Sequence, residues 1–202
     1  VSSLTCIDLN LNLLMDYMVK NIESDQEKLY LLGSYLDNLR TTLFRQVSFA
    51  EFEWEIHKKI EASEPLNGKI MSEIYYDIVT KYYGHDEGIC IVDDYVRYEW
   101  AIIPHFYYNY YVYQYSTSII YATAFAEKII NAQPQMLNTG EMDTRVNPAV
   151  EEYFKILTDG SSQYPIDLIK DAGLDPLFPE PFELTMNKMN RTMDMMDEIL
   201  AK

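Results

Sequence analysis

One short segment carries most of the side chains in this sequence that can do chemistry. The segment IPHFYYNYYVYQYST, residues 103–117, holds six tyrosines together with His105, where a helix would normally carry aliphatic residues. A neutral phenol or imidazole can donate a hydrogen bond to a developing oxyanion without adding a charge. The segment is therefore a candidate for stabilising an anionic intermediate in a reaction at a carbonyl group.

The same tyrosines are also compatible with an aromatic seam in the protein core. Tyr107, Tyr111 and Tyr115 recur every four residues, and tyrosines bury well when their hydroxyls find partners. Each buried hydroxyl without a partner costs about 1–3 kcal/mol, so a core would favour Phe or Leu. Tyr110 and Tyr113 are three residues apart and can share one helical face. Spacing alone leaves both the functional and the structural interpretation open.

A second candidate site is the loop DGSSQYP, residues 159–165. Gly160 and Ser161 expose backbone amides that could pair with a peptide. A simple loop before a helix that starts at Pro165 explains the same residues, and spacing favours this simpler interpretation.

Other charged and metal-ligating residues give weaker signals. Arg45, Glu51 and Glu53 lie on a long predicted helix, and we expect them to interact with neighbours three and four positions away. No two histidines have the i, i+4 spacing of a zinc-binding helix. We expect His57 to be solvated and His85 to be structural.

Apolar residues recur at helical spacing along most of the chain, which predicts an all-α fold in a single helical unit. Ser24 and Glu27 form a capping box that opens the longest helix, which Gly33 could bend. Pro104 should break the chain just before His105. The methionine-rich face of the last helix is expected to pack in the core. The predicted helices cover residues 8–20, 24 to before Pro65, 68–83, 93–102, 107–131, 148–158, 165 to before Gly173, and 181–201.

Composition argues against several classes of protein. The chain has 32 acidic and 16 basic residues, a formal net charge of −16, and no basic cluster, so we expect no nucleic-acid partner. Apolar stretches are interrupted before the roughly 20 residues of a membrane span, and no signal peptide is recognisable. Cys6 and Cys90 fit neither a disulfide framework nor a metal motif, which favours reduced thiols in the cytoplasm.

Several segments together resemble the zinc metallopeptidases of the oligoendopeptidase F and thimet oligopeptidase type. They are DYMVKN, LFRQVSFAEFEWEIHKKIEASEPLNGKIMSEIYYDIVTKYYG, EWAIIPHFYYNYYVYQYST and DGSSQYPIDLIKDAGLDP, and they follow the order of C-terminal segments of oligoendopeptidase F. The resemblance implies a multi-helix portion of a zincin-like catalytic domain that lines a channel for short unstructured peptides. It also implies zinc-dependent hydrolysis of internal peptide bonds.

The same resemblance implies roles for individual residues. His105 and Tyr113 match the family's histidine and tyrosine that hydrogen-bond the scissile carbonyl. The matching substrate contacts are Tyr107, Tyr108, Tyr110, Gly160, Ser161 and Tyr164. The family's His-Glu-x-x-His helix and third zinc ligand, a Glu, are not found in the chain, so we expect no metal ligands here.

We therefore expect the chain to be the C-terminal part of a catalytic domain whose remainder precedes Val1. Zinc would belong to the parent enzyme, and the isolated chain would have no peptidase activity. The alternative is a non-catalytic helical module that uses the tyrosines to bind peptides or a partner helix. A third possibility is that the tyrosines form a purely structural core.

Overall fold

The computed structural model describes residues 2–132, 135–136, 142–143, 147–160 and 162–202, with side chains from residue 4 onward outside 133–146 and 161. The α-helices are α1 (Ser2–Asn21), α2 (Asp25–Leu39), α3 (Arg45–Glu61), α4 (Gly68–Tyr83), α5 (Tyr113–Asn131), α6 (Pro148–Asp159), α7 (Pro165–Asp171) and α8 (Glu180–Leu200). A π-helical segment spans Arg40–Phe44, and 3₁₀ helices span Asp94–Ile102 and Pro104–Tyr107. The strands β1 (Gln135–Met136) and β2 (Met142–Asp143) form one short antiparallel pair. The predicted all-α class is confirmed.

The chain divides into two compact units, of which the first combines Val1–Leu39 with Thr117–Lys202. Its core brings together Leu9 of α1, Phe125 of α5 and Leu168 of α7, all almost fully buried. Helix α2 packs against α1 and α8, and α6 packs against α7. Burial of these apolar faces is the main source of stability for such a unit.

The second unit is the continuous segment Arg40–Ser116. Helices α3 and α4 pack against each other, and the first 3₁₀ helix packs on α4. Phe52 of α3 forms edge-on aromatic contacts with Tyr75 and Phe106, at centroid distances of 5.2 Å each. These contacts attach the segment around Phe106 to the α3–α4 pair. The expectation that residues 1–202 form a single helical unit within a larger catalytic domain stays a prediction.

Local capping signals located most helix ends correctly. The Glu27 amide donates to the Ser24 hydroxyl at 3.4 Å, and Asn147 accepts from the Ala149 amide at 3.0 Å before α6. Gly84 ends α4 in the left-handed conformation, where a Cβ atom would lie 2.8 Å from Cδ1 of Ile89. Gly33 lies inside α2 and does not split it, and the irregular segment is instead the π-helical turn that follows α2.

Helix α5 begins later than the sequence predicts. It starts at Tyr113 and not near residue 107, because a 3₁₀ turn and a left-handed residue at Tyr110 precede it. The chain does break between Ile102 and Pro104, as predicted from the proline. Two predictions are therefore wrong: that Tyr107, Tyr111 and Tyr115 form a seam at i+4 spacing, and that Tyr110 and Tyr113 share one helical face. These positions do not lie on one helix.

The buried face of α8 is largely polar, which corrects the prediction of a methionine-lined core. Thr185, Lys188 and Thr192 are buried at helical spacing. Of the five methionines, Met193 and Met195 are exposed, and the half-buried ones are Met186, Met189 and Met196. Across the described part of the chain, no helix has both the length and the apolar character that crossing a membrane requires.

Candidate functional site

The tyrosine-rich segment is an irregular connection between two helices of different type. Pro104 begins a single 3₁₀ turn, which is suited to a residue with a fixed φ and no amide hydrogen. The Tyr111 amide then donates to the Tyr108 carbonyl at 3.0 Å and closes a tight turn. Because the backbone is irregular here, neighbouring tyrosines point in different directions rather than along one helical face.

His105 lies within a cluster formed with Tyr111 and Tyr115. Its ring stacks on Tyr111 with centroids 5.7 Å apart and planes inclined by 21°, and Tyr115 meets it edge-on at 5.7 Å. The Tyr115 phenol oxygen lies 3.3 Å from Nε2 of His105. The pKa of Tyr115 is raised, mainly by a hydrogen bond with the Tyr111 phenol and to a smaller extent by burial. Tyr115 therefore keeps its proton at neutral pH, so a neutral phenol lies beside the imidazole.

A cavity of about 400 Å³ opens beside this cluster. His105 and Tyr115 form one side of it, and Arg45, Gln46 and Glu99 contribute polar groups to its lining. Apolar side chains complete the wall: Phe49, Ile102, Ile103 and Pro104. A concave, partly apolar space with a few convergent polar groups is the usual form of a small-ligand site.

Tyr110 points away from this cluster and lies against α3. Its ring centroid is 4.5 Å from that of His57, and its backbone amide donates to Oε1 of Glu53 at 2.8 Å. Partial desolvation, and then the carboxylates of Glu61 and Glu53, raise the pKa of Tyr110. His57 is half-buried rather than solvated, which corrects the sequence-based expectation.

The remaining tyrosine candidates are exposed. Tyr107 and Tyr108 are 81% and 66% exposed, so their phenols are accessible to a ligand. Tyr113 is 45% exposed on the first turn of α5, where its carbonyl accepts the Ser116 hydroxyl. The structure thus places Tyr111 and Tyr115 against His105 and leaves Tyr113 on an accessible surface.

The second candidate loop belongs to the other unit. Gly160 ends α6 with φ of 55°, a conformation that favours glycine, and Tyr164 is 81% exposed just before α7. Ser161 lies outside the described residues. The site roles inferred for this loop stay predictions.

Charged residues of α3 make contacts that sequence spacing did not predict. Arg45 forms an ion pair with Glu99, and the Tyr75 hydroxyl donates to the second Glu99 oxygen at 2.5 Å. Glu51 pairs with Lys81 on α4 at 3.0 Å. These partners are far away in sequence, so helical i+3 and i+4 spacing gave no signal for them. The expectation of local partners is wrong for these residues.

The structure also defines the contacts of His85 and the grouping of potential metal ligands. His85 accepts the Val92 amide at Nδ1 over 2.9 Å and so stabilises the loop after α4, which confirms its structural role. Among the described side chains, no three His, Cys, Asp or Glu residues are grouped closely enough to hold a metal ion. The described residues therefore do not fit a zinc site.

The sequence matches the model for Peptidase family M3 over residues 8–188. It is 42% identical over 190 residues to Oligopeptidase PepF of Bacillus subtilis, covering 94% of this chain and 26% of that protein. It is 32% identical over 193 residues to Group B oligopeptidase PepB of Streptococcus agalactiae, covering 96% of this chain and 30% of that protein. The chain thus spans under a third of the length of these relatives.

Two solved structures have similar folds. Oligoendopeptidase-F from Enterococcus faecium superposes with a TM-score of 0.79 at 33% identity, covering 96% of this chain and 34% of that one. A putative peptidase from Chlamydophila abortus superposes with a TM-score of 0.80 at 37% identity, covering 95% of this chain and 29% of that one. Sequence and fold therefore agree on the same group of proteins.

Proposed function

Because the chain belongs to peptidase family M3, we propose that it is the substrate-binding and oxyanion-stabilising part of an oligopeptidase. The parent enzyme hydrolyses internal bonds of short, unstructured peptides. The observation that carries this proposal is the placement of His105 with Tyr111 and Tyr115 beside a cavity of about 400 Å³. An imidazole fixed by neutral phenols provides hydrogen-bond donors without fixed charge.

In the proposed mechanism, His105 and Tyr113 donate hydrogen bonds to the scissile carbonyl oxygen as it becomes an oxyanion. Tyr115 remains protonated, and its phenol oxygen lies 3.3 Å from Nε2 of His105, a hydrogen bond that orients the imidazole. The accessible phenols of Tyr107 and Tyr108 contact the peptide. Such preorganised donors act at the point where charge develops, and removing one typically costs about 10²- to 10³-fold in rate.

The remaining proposed contacts come from Tyr110, Gly160, Ser161 and Tyr164. Zinc in the parent enzyme would activate the water that attacks the carbonyl. Since the described residues do not fit a zinc site, we assign no metal ligand to them and expect other parts of the parent enzyme to hold the metal. The free thiols of Cys6 and Cys90 are in keeping with a cytoplasmic enzyme.

The test uses a hybrid in which this chain replaces the matching segment of Bacillus subtilis Oligopeptidase PepF. We expect the hybrid to cleave a quenched fluorescent peptide and His105→Ala to lower kcat by about 10²-fold or more. Tyr30→Phe, which changes an exposed tyrosine on α2, is the matched control and should have no effect. Retained kcat in His105→Ala would contradict the proposal.

The isolated chain provides a second, independent test. We expect it to be purified without stoichiometric zinc and to show no peptide turnover. Zinc bound at one equivalent together with turnover would overturn the assignment of the metal to other parts of the parent enzyme. Peptide binding that is lost in Tyr113→Phe, with no effect on hybrid kcat, would instead support a non-catalytic binding module.

A further inference from the structure

We propose that Glu53 is a positioning residue that holds the turn at Tyr110 and thereby places the tyrosines around His105. Its effect on turnover rests on the proposed function, whereas its effect on the turn does not. Glu53 lies on α3, more than fifty positions before the turn, and its side chain is buried with 2% exposure. Nothing in the spacing of the α3 charges indicates this role.

The buried carboxylate makes a directed contact with the turn. Oε1 of Glu53 accepts the Tyr110 amide hydrogen at 2.8 Å. Burial raises the pKa of Glu53, while the hydrogen bond from Tyr110 and then the charge of His57 lower it. A carboxylate is costly to bury unless it is hydrogen-bonded, so a buried acid aimed at one backbone amide indicates a specific requirement at that amide.

That requirement is the backbone conformation of Tyr110. Its φ is 50°, in the left-handed region, and among the described residues only Ser63 is another non-glycine with positive φ. Tyr110 is the third residue of the turn closed by the hydrogen bond between Tyr111 and Tyr108. Turns with positive φ at this position usually carry Gly or Asn, because a Cβ atom disfavours the conformation.

Two contacts offset this unfavourable conformation. Glu53 fixes the amide of Tyr110, and the His57 ring, one helical turn along α3, packs on its side chain at 4.5 Å. The next residue, Tyr111, is then directed back onto His105, where the rings stack. Glu53 and His57 thus form a clamp on Tyr110 that determines where the His105 cluster forms.

The wild-type chain gives the first test by NMR. We expect the Tyr110 amide shift to follow the titration of Glu53, with a midpoint above the ordinary pKa of Glu, and its hydrogen exchange to be slow. His57 and Glu61 also face Tyr110, so His57→Gln and Glu61→Gln should leave an acidic titration of this amide in place. A Tyr110 amide shift that does not change through the acidic range would overturn the proposal.

Variants give the second test. Glu53→Met retains approximate volume without an acceptor, and we expect Tyr110 amide protection to fall by about tenfold or more and the His105 ring signals to shift. Glu53→Gln keeps an acceptor oxygen and should preserve part of the protection. Glu55→Gln is the matched control, because Glu55 lies on the same helix and pairs with Lys58.

A compensating substitution distinguishes loss of the clamp on Tyr110 from a general loss of stability. Gly adopts positive φ without cost, so Tyr110→Gly should partly restore the His105 signals of Glu53→Met. Unchanged protection and signals in Glu53→Met would contradict the proposal, and if that variant does not fold, the wild-type titration and Glu53→Gln decide it. In the hybrid, Glu53→Gln should lower kcat more than it changes KM. An inactive unmodified hybrid would count against the proposed function and leave the NMR result to decide the clamp.

Discussion

The Tyr115 phenol oxygen lies 3.3 Å from Nε2 of His105, so a neutral phenol orients the imidazole. Tyr111 stacks on the His105 ring. A hydrogen bond between Tyr111 and Tyr115 raises the pKa of the Tyr115 phenol. His105 is therefore held between two phenol side chains. This arrangement suits a group that must donate a hydrogen bond rather than bind a charged ligand.

Tyr113→Phe and Tyr115→Phe should have different effects in the hybrid enzyme. We expect Tyr113→Phe to lower kcat by about 10²-fold, because a donor to the oxyanion is lost. Tyr115→Phe removes only the orientation of His105, and we expect a loss of about tenfold. Steady-state kinetics with a fluorescent peptide measures both, with Tyr30→Phe as control. A larger loss in Tyr115→Phe would assign the direct contact to Tyr115 instead.

Arg45→Met should destabilise the isolated chain by about 1–2 kcal/mol. The change leaves the half-buried Glu99 carboxylate with the Tyr75 hydroxyl as a remaining donor, and partial exposure of the pair reduces the cost. Lys58→Met removes an exposed pair with Glu55 on the same helix and should cost about 0.5 kcal/mol or less. Urea unfolding followed by circular dichroism measures both. Equal effects would show that Arg45 and Glu99 form an ordinary surface pair.

Asp8→Asn should stabilise the chain in a pH-dependent manner. Burial raises the pKa of Asp8 to about 6, so the folded state holds this proton more tightly than the unfolded state. The stability that Asp8 contributes is present below about pH 4 and is lost as the pH rises through about 6. Asp8→Asn should therefore gain about 1–2 kcal/mol above pH 6, after allowance for solvent screening, and match the wild type near pH 4.

Urea unfolding at several pH values measures this difference. Asp197→Asn changes an exposed carboxylate on α8 and is the matched control for loss of one negative charge. A gain for Asp8→Asn that is the same at pH 4 and pH 7 would show that the effect does not come from ionisation of the half-buried Asp8 carboxylate.

Local chemistry explains which elements were predictable from the sequence. Some features depend only on a few adjacent residues, so the sequence alone was sufficient to predict them. They are the helix caps at Ser24 and Asn147 and the break at Pro104. The left-handed turn at Tyr110 was missed, because a tyrosine at positive φ violates local preference. It depends on Glu53, 57 positions away, which no local pattern reveals.

In the candidate site, too, some features were predictable from the sequence and others depended on tertiary contacts. The composition of residues 103–117 indicated a polar aromatic surface, and the sequence correctly singled out His105 as the histidine beside phenols. Helical spacing then grouped the tyrosines incorrectly, because it assumed a continuous helix from residue 107. Arg45 and Glu99 both line the cavity and contact each other, although they are 54 positions apart in the sequence. This contact could be recognised only from the tertiary structure.

Glu127→Gln should destabilise the isolated chain by about 3 kcal/mol. Glu127 is buried, accepts from Arg191 at 2.6 Å and lies 3.9 Å from the buried Lys188 ammonium. Burial lowers the pKa of Lys188, and the charge of Glu127 opposes this shift. Removing the carboxylate charge leaves the ammonium with Asn12 as a neutral partner, and breaking one side of a buried pair costs several kcal/mol.

The double variant Glu127→Gln with Lys188→Met should recover most of this loss, since the ammonium that lost its counter-charge is also removed. Glu151→Gln, an exposed position on α6, controls for the loss of one negative charge. Urea unfolding of the wild type, the single variants Glu127→Gln and Lys188→Met, and the double variant measures the coupling between Glu127 and Lys188. Additive losses in the double variant would show that the two side chains stabilise the fold independently, and would place the main partner of Glu127 at Arg191.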